Sequence, residues 1–425
     1  MTQRTWNADW AIIAMAFAVM SVEGYDLGIL GSLLPILLND PSLGLGTGQA
    51  GLVGSAGFVG MLVGGVLVGR LSGRLGLAVV LRAGIGVFSL AMLLSAAAPG
   101  VPLLGLGRLI AGIGLGVVMP GCMSITRSRC DVATSPLAIS VVMAGIPMGG
   151  MTASLVSYLW AVQTGWRILF ALGAFLGAAI FPMAMAMVRR STHIDSSPAQ
   201  ALSTKQLPLT QVIRPVIAGA IATFCFLLSF YGLITWTTKL MTTLAIPLQG
   251  AFQLSMIMNL GAVIGSVVVG IAATRYGALR LTLICAAGCV IFLVLVPSGL
   301  ASGGWLLLLV GALGMASPST QNLVNSLVVN SVRGEQRTAV LGLTLGIGRM
   351  GAVAAPVIGS TLLTIVPPGD GLTSPAATVF IAFALSCAIG GVAAVVLART
   401  PSPGQRDTAI DESAEPDPQP TASRS

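Results

Sequence analysis

The chain has 425 residues, of which 55% are hydrophobic and only 8% are charged. Ordinary soluble domains carry roughly 25% charged residues, so the composition excludes a soluble globular protein and predicts an all-α membrane protein. The sequence G-x4-G-K-S/T does not occur, which excludes a P-loop ATPase. The six cysteines show no metal-like spacing. We therefore expect no enzyme activity, no cofactor and no metal, and any transport must be driven by a gradient.

Apolar segments follow one another along most of the chain, and each is long enough for the ~20 residues that cross a bilayer as a helix. In chain order they are residues 10–38, 49–69, 78–98, 102–125, 136–160, 166–188, 213–240, 247–273, 278–300, 302–330, 338–366 and 373–398. The pattern predicts twelve transmembrane helices. A cleaved signal peptide in the first segment is disfavoured, because its removal would leave eleven spans with inverted loop charges.

Lysine and arginine are distributed unequally between the two sides of these spans. Seventeen of the 21 cations fall on the side that carries both termini. By the positive-inside rule that side is cytoplasmic, so we expect a multi-pass protein of the cytoplasmic membrane with both termini inside. The net charge of +8 is then a topology signal rather than a nucleic-acid surface, since the cations are scattered over separate loops.

The two halves of the chain resemble each other. GGVLVGRLSGRLG (64–76) and GSVVVGIAATRYG (265–277) align at a constant offset of 201 residues. Two six-span repeats in parallel orientation are a transporter pattern, with the substrate site between the halves near the midplane. We predict an N-terminal six-helix bundle (1–188), a cytoplasmic linker loop (189–212), a C-terminal six-helix bundle (213–398) and a disordered cytoplasmic tail (399–425).

Four charged residues lie deep in predicted spans: Glu23 and Asp26 in span 1, Arg108 in span 4 and Arg349 in span 11. Each costs on the order of 3 kcal/mol or more in hydrocarbon, so each must pair or line a cavity. One interpretation is two buried ion pairs that only fix helix packing. The other is functional: the carboxylates, on one helix face, carry a proton, and an arginine binds a substrate anion in two-pronged geometry.

Several motifs resemble a known family. RLIAGIGLGVVMP (108–120) matches the span 4 pattern of the major facilitator superfamily, and GRLSGRLGLA (69–78) keeps part of its loop signature, with Gly73 in place of Asp. EGYD (23–26) and GRMGAVAAP (348–356) are similar to the span 1 and span 11 motifs of its aromatic acid:H+ symporter family. The resemblance implies the major facilitator fold, two pseudo-symmetric six-helix bundles, and proton-coupled import of an aromatic carboxylic acid by alternating access.

The resemblance also suggests roles for individual residues. Glu23 and Asp26 would couple protons, and Arg349 or Arg108 would hold the substrate carboxylate. Aromatic and polar contacts to the substrate would come from Tyr25, Tyr231, Asn259, Gln321 and Asn325. Each of these has a packing alternative. The expected partners are a small aromatic carboxylate of the benzoate, hydroxybenzoate, gentisate or hydroxyphenylpropionate type, protons and the lipid bilayer, and we expect the monomer to be functional.

Gating would involve Arg74, Arg275 and Arg337 in the cytoplasmic loops. Because Gly73 replaces the acidic residue of the loop signature, we expect charge-pair gating to be weaker or rearranged. Two other functions stay open. GIPMGG (145–150) partly resembles an element of proton-driven drug or metabolite exporters, and the 27 residues from Arg399 could serve a transporter-like sensor.

Overall fold

A computed structural model describes residues 9–131, 134–190, 209–332 and 336–399. These segments form α-helices and one short 3-10 helix, Gly371–Thr373, and contain no β-strand. The helices are α1 (Trp10–Leu38), α2 (Thr47–Leu75), α3 (Leu77–Ala96), α4 (Val101–Ser128), α5 (Ser135–Met143), α6 (Gly145–Thr164), α7 (Trp166–Arg190), α8 (Leu209–Thr243), α9 (Leu248–Tyr276), α10 (Ala278–Leu295), α11 (Gly304–Asn330), α12 (Arg337–Gly348), α13 (Met350–Ile365) and α14 (Pro375–Ala398).

The helices correspond to the twelve predicted spans, of which two are broken. Span 5 consists of α5 and α6, and span 11 of α12 and α13. Pro147 accounts for the first break, because a proline cannot bond the carbonyl four residues earlier, here Met143. The second break lies at Arg349, between Gly348 and Gly351. Spans 5 and 11 are equivalent in the two halves, so the breaks preserve the repeat.

Eleven spans in the described part of the chain are long and apolar enough to cross a membrane. The remaining one, α11, is interrupted by polar residues between Ser317 and Asn325. Most of the predicted linker and tail, residues 191–208 and 400–425, lies outside the described residues, so the domain boundaries stay predictions.

Glycines let the helices pack at backbone contact. A Cβ on Gly60 would collide with the Leu109 carbonyl of α4, and one on Gly112 with the Gly57 carbonyl of α2. Likewise, Gly149 of α6 lies against the Ser21 carbonyl of α1. The glycines of the 108–120 and 145–150 motifs are thus used for close helix approach, as small residues commonly are in membranes.

The internal repeat extends to backbone conformation. Gly76 and Gly277, paired at the offset of 201 residues, have φ/ψ of 81°/144° and 88°/144°. Residues with a side chain rarely adopt such positive φ values. Both glycines turn the chain sharply, from α2 into α3 and from α9 into α10.

The bundle has two ends, which we name the terminal face (Trp10, Leu75 and Ala398) and the opposite face (Leu38, Thr47 and Thr243). Near the opposite face the two halves contact each other: α1 packs on α8, α2 on α13 and α6 on α9. Ser55 Oγ, for example, donates to the Val353 carbonyl at 2.6 Å. Towards the terminal face, α5 packs on α1, α4 and α6, and α12 on α8, α11 and α13, all within their own halves. The strongest contacts between the halves therefore lie near the opposite face, whereas α5 and α12 pack mainly on helices of their own half.

Candidate functional site

Asp26 on α1 and Arg108 on α4 form a buried two-pronged ion pair. Arg108 Nη1 lies 2.5 Å from Asp26 Oδ1, and Nη2 lies 3.0 Å from Oδ2. The two residues are 1% and 3% exposed. Gly57 on α2 makes room for the guanidinium, since a Cβ there would lie 3.4 Å from Nη2. One of the ion pairs that the sequence left open is thus present between Asp26 and Arg108, and the proton-coupling role of Asp26 stays a prediction.

Glu23 lies three residues earlier on the same helix, yet its surroundings differ. It is fully buried, and neither carboxylate oxygen has a hydrogen-bond partner within the described segments. The charges of Arg349 and of Asp26, on its own helix, act on Glu23, and Glu23 in turn acts on Cys122 of α4 and Tyr231 of α8. A carboxylate buried without donors requires either a proton or a cation.

Arg349 lies at the break between α12 and α13 and reaches across to the other half of the protein. Its Nη2 contacts the sulfur of Met119 on α4 at 3.6 Å, and a Cβ on Gly65 of α2 would lie 3.2 Å from its Nη1. The side chain is partly buried, and no described carboxylate pairs with it. The N-terminus of α13, which begins at the next residue, adds further positive potential.

Two adjacent cavities lie between the halves and share Phe58 and Met61 as a common wall. The first, a narrow cavity of about 30 Å³, is lined by Phe58, Met61, Leu62, Gly116, Met119, Tyr231, Arg349 and Ala352. The second, of about 10 Å³, is lined by Asp26, Leu27, Leu30, Gly54, Gly57, Phe58, Met61, Arg108 and Thr235. The Phe58 and Tyr231 rings meet edge to face with centroids 4.8 Å apart. An aromatic cavity with an unpaired arginine thus adjoins a cavity that holds the ion pair.

The structure brings together four of the residues singled out from the sequence: Asp26, Arg108, Arg349 and Tyr231. The wall residues Phe58 and Met61, and also Met119, were missed. Phe58 is the only aromatic residue of the glycine-rich helix α2, and this isolated position could have indicated a site residue. A methionine in a span carries no comparable signal, because it is an ordinary packing residue.

Tyr25 faces away from the cavities. Its hydroxyl donates to the Leu169 carbonyl on α7 at 2.8 Å, and its ring packs against Gly173. Tyr25 thus packs between α1 and α7 and lines neither cavity, and its role in substrate binding stays a prediction. The residue lies between two charged positions in sequence, but the helix turns its side chain outward from the centre.

The three predicted amides form two other groups. Gln321 Nε2 donates to Asn325 Oδ1 at 2.9 Å and lies 3.5 Å from Thr223 Oγ1, while its own Oε1 is buried without a partner. Asn259 donates to the Ser255 carbonyl at 2.9 Å and packs against Gly150 of the other half. Neither group lines the two cavities described above; their roles in substrate binding stay predictions.

The predicted gating arginines Arg74, Arg275 and Arg337 are exposed. None of the three forms an ion pair with another described residue. Gly73 is exposed as well, and a Cβ on it would meet nothing within 4 Å. The gating roles of the three arginines, and the expectation of weaker or rearranged charge-pair gating, stay predictions.

Comparisons with known proteins agree with this architecture. The profile of the Major Facilitator Superfamily matches residues 16–356 and 257–423. The gentisate transporter of Corynebacterium glutamicum is 31% identical over 364 residues, covering 83% of this chain and 81% of its own length. The gallate transporter of Pseudomonas putida is 26% identical over 389 residues, covering 84% and 86%. A D-xylose-proton symporter structure superimposes with a TM-score of 0.76 at 16% identity, covering 92% of this chain and 98% of that one.

Proposed function

The chain belongs to the major facilitator superfamily, and we propose that it imports an aromatic carboxylic acid together with a proton across the cytoplasmic membrane. The observation that carries the proposal is Arg349, a guanidinium without a carboxylate partner in the described structure, which lines an aromatic cavity between the two halves. The relatives named as gentisate and gallate transporters support this substrate class.

Of the two arginines that lie within the spans, Arg349 is the better candidate for binding the substrate carboxylate. Arg108 already has both terminal nitrogens on Asp26. A guanidinium binds a carboxylate through two parallel hydrogen bonds, and the contact to the Met119 sulfur is weak enough to be replaced. We therefore place the substrate carboxylate at Arg349 and leave Arg108 with Asp26.

The substrate ring would lie against Phe58 and Tyr231, with Met61 and Met119 filling the remaining surface. Aromatic rings favour edge-to-face and offset contacts, and thioethers adapt to differently substituted rings. Gentisate-type, hydroxybenzoate-type and benzoate-type acids all match this chemistry. The tyrosine hydroxyl is the polar group of this wall that a ring hydroxyl would meet.

Alternating access would couple the acid to the proton. With the arginine-rich terminal face in the cytoplasm, opening of the halves at that face would release the substrate. A carboxylate at Glu23 or Asp26 repels the incoming anion unless it is protonated or paired, so these two residues are the proposed proton-coupling groups. No site residue requires a second copy of the chain, so the proposed transporting unit is the monomer.

Uptake of radiolabelled gentisate, gallate, benzoate and an aliphatic acid into energised cells tests the proposal, with and without an uncoupler. We expect uncoupler-sensitive accumulation of an aromatic acid. Arg349→Gln should abolish it, while Arg280→Gln, at an exposed arginine with no proposed role, should not. Lower accumulation in expressing cells than in control cells would instead show export and overturn the proposal.

A further inference from the structure

We propose that the opposite face of the C-terminal half carries a second ligand site, a cavity that binds a small organic cation with an apolar body, of the arylalkylamine type. This cavity is separate from the two cavities between the halves. Binding there requires no transport, so the inference goes beyond the proposed function and does not depend on it.

The cavity lies wholly within the C-terminal half and has a volume of about 640 Å³. Its walls come from the end of α8, the start of α9, the connection between α10 and α11 and the connection between α13 and α14. Ligand sites commonly have volumes of about 300–1,000 Å³. The cavity therefore has room for a bicyclic organic molecule.

The equivalent place in the N-terminal half is occupied by side chains. There the connection between α6 and α7 is the single residue Gly165, and α7 begins with Trp166 and Arg167. Trp166 Nε1 donates to Asp40 Oδ2 in the α1–α2 loop at 2.6 Å, and Arg167 Nη1 donates to the Ala98 carbonyl in the α3–α4 loop at 2.6 Å. These two side chains tie the loops at that end of the N-terminal half together.

The corresponding loops of the C-terminal half are longer. The connection between α13 and α14 runs over residues 366–374 and that between α10 and α11 over residues 296–303, whereas their counterparts are Gly165 and residues 97–100. In addition, α14 starts with a proline and two alanines, which cannot reach across the end of the bundle as Trp166 does. The halves otherwise follow one repeat, so the cavity is a feature of this half alone.

The backbone around the cavity is unusual as well. Ala245, in its wall, has a φ of 62° and is the only non-glycine residue with positive φ in the described part of the chain. Gly299, Gly303 and Gly371 line the same cavity with φ between 55° and 73°. Strained backbone of this kind clusters at ligand clamps and other functional sites. The strain at Ala245 thus agrees with a wall that is shaped for a ligand.

The lining indicates the class of ligand. Much of it is apolar, for example Leu254 and Val296, while Gln253 and Ser302 add uncharged polar groups. Among the described residues that line the cavity, Asp370 is the only charged one, and it forms no ion pair with another described residue.

Other charges near the cavity do not offset this carboxylate. Two helices, α8 and α10, end at the cavity and three, α9, α11 and α14, begin there, so the partial charges of their termini largely cancel. Lys239, the cation that precedes the cavity on α8, is not a lining residue. The cavity therefore favours a cation with an apolar body and disfavours the aromatic carboxylates proposed for the central site.

The experiment measures binding of radiolabelled tryptamine, and of tryptophol, its uncharged alcohol analogue, to the purified full-length protein in detergent. Equilibrium dialysis with protein-free micelles as the blank corrects for uptake by the detergent. Gln253→Trp places an indole ring in the cavity. Gln249→Trp is the matched control, because Gln249 is exposed, lies one turn earlier on α9 and does not line the cavity. Asp370→Asn removes the charge and keeps the size of the side chain.

We expect saturable tryptamine binding that excess gentisate does not displace. Tryptamine should bind about fivefold more tightly than tryptophol, and Asp370→Asn should remove this difference by weakening tryptamine alone, since an exposed charge pair contributes about this much. Gln253→Trp should weaken binding of both compounds about tenfold or more, because the ring fills the space they need. Gln249→Trp should bind both as the wild type does.

Lack of saturable tryptamine binding, equal affinities for the two compounds, unchanged binding in Gln253→Trp or displacement by gentisate would each overturn the inference. If Gln253→Trp does not fold, the comparison of the two compounds on Asp370→Asn still decides. None of these measurements requires uptake of an aromatic acid, so failure of the proposed function and failure of this inference are told apart.

Discussion

Arg108 Nη1 donates to Asp26 Oδ1 at 2.5 Å and Nη2 donates to Oδ2 at 3.0 Å, in a site almost closed to solvent. This relationship ties α1 to α4 and removes one of the two buried arginines from competition for a substrate anion. The other arginine, Arg349, lies across the interface between the halves and is the anion site that we propose. The chemistry of the cavity thus follows from which charges are already paired.

Breaking the Asp26–Arg108 pair from one side should destabilise the protein. Asp26→Asn or Arg108→Gln leaves its partner buried without an opposite charge, a loss of about 3–5 kcal/mol. The double variant should lose clearly less than the sum of the two single changes. Melting of the detergent-purified variants measures this, and single variants that melt like the wild type would show that the pair does not form.

Crowding Arg349 should weaken substrate binding. A Cβ on Gly65 would lie 3.2 Å from Arg349 Nη1, so Gly65→Ala should displace the guanidinium and raise the KM for uptake several-fold. Gly69→Ala, one turn further along α2, is the matched control, because a Cβ there meets nothing within 4 Å. Equal KM values for the two variants would place Arg349 away from the substrate.

Removing the wall between the two cavities should change selectivity. Phe58→Ala deletes the ring that both cavities share and its edge contact with Tyr231. An aromatic contact of this kind contributes about 1 kcal/mol, so we expect a loss of about fivefold for benzoate-sized acids and a smaller loss for acids with longer side chains. Competition of labelled gentisate by a series of arylalkanoic acids measures the shift. An unchanged order of competition would show that the wall does not limit substrate size.

Asp40, in the loop after α1, should make stability depend on acid pH. Trp166 Nε1 donates to Asp40 Oδ2 at 2.6 Å, and this hydrogen bond, with those from Ser42, lowers the pKa of Asp40. A lowered folded-state pKa stabilises the fold above the ordinary aspartate pKa of about 3.9, and the contribution is lost as pH falls through the folded value. Melting temperatures from pH 6 downwards should fall less steeply in Asp40→Asn. Identical slopes would contradict the assignment.

Much of the fold could be predicted from the sequence. The twelve spans follow from hydropathy because the free energy of placing a residue in hydrocarbon depends mainly on that residue and not on the helix it packs against. The repeat at 201 residues, which aligns Gly76 with Gly277, was also visible. The structure adds that both glycines have positive φ, a conformation that only glycine adopts easily. The breaks in spans 5 and 11 were not, because an apolar window does not register a kink of one residue.

The sequence by itself determined that four charges lie in the membrane core and that they must pair or line a cavity. Only the tertiary structure decided the partners. Glu23 and Asp26 share a helix face, but they are separated by about 4.5 Å along the axis and therefore meet different neighbours. Asp26 meets an arginine, whereas Glu23 meets no hydrogen-bond donor in the described structure. Such partners come from helices far away in the chain, and their distances depend on glycine contacts between helices that no local pattern encodes.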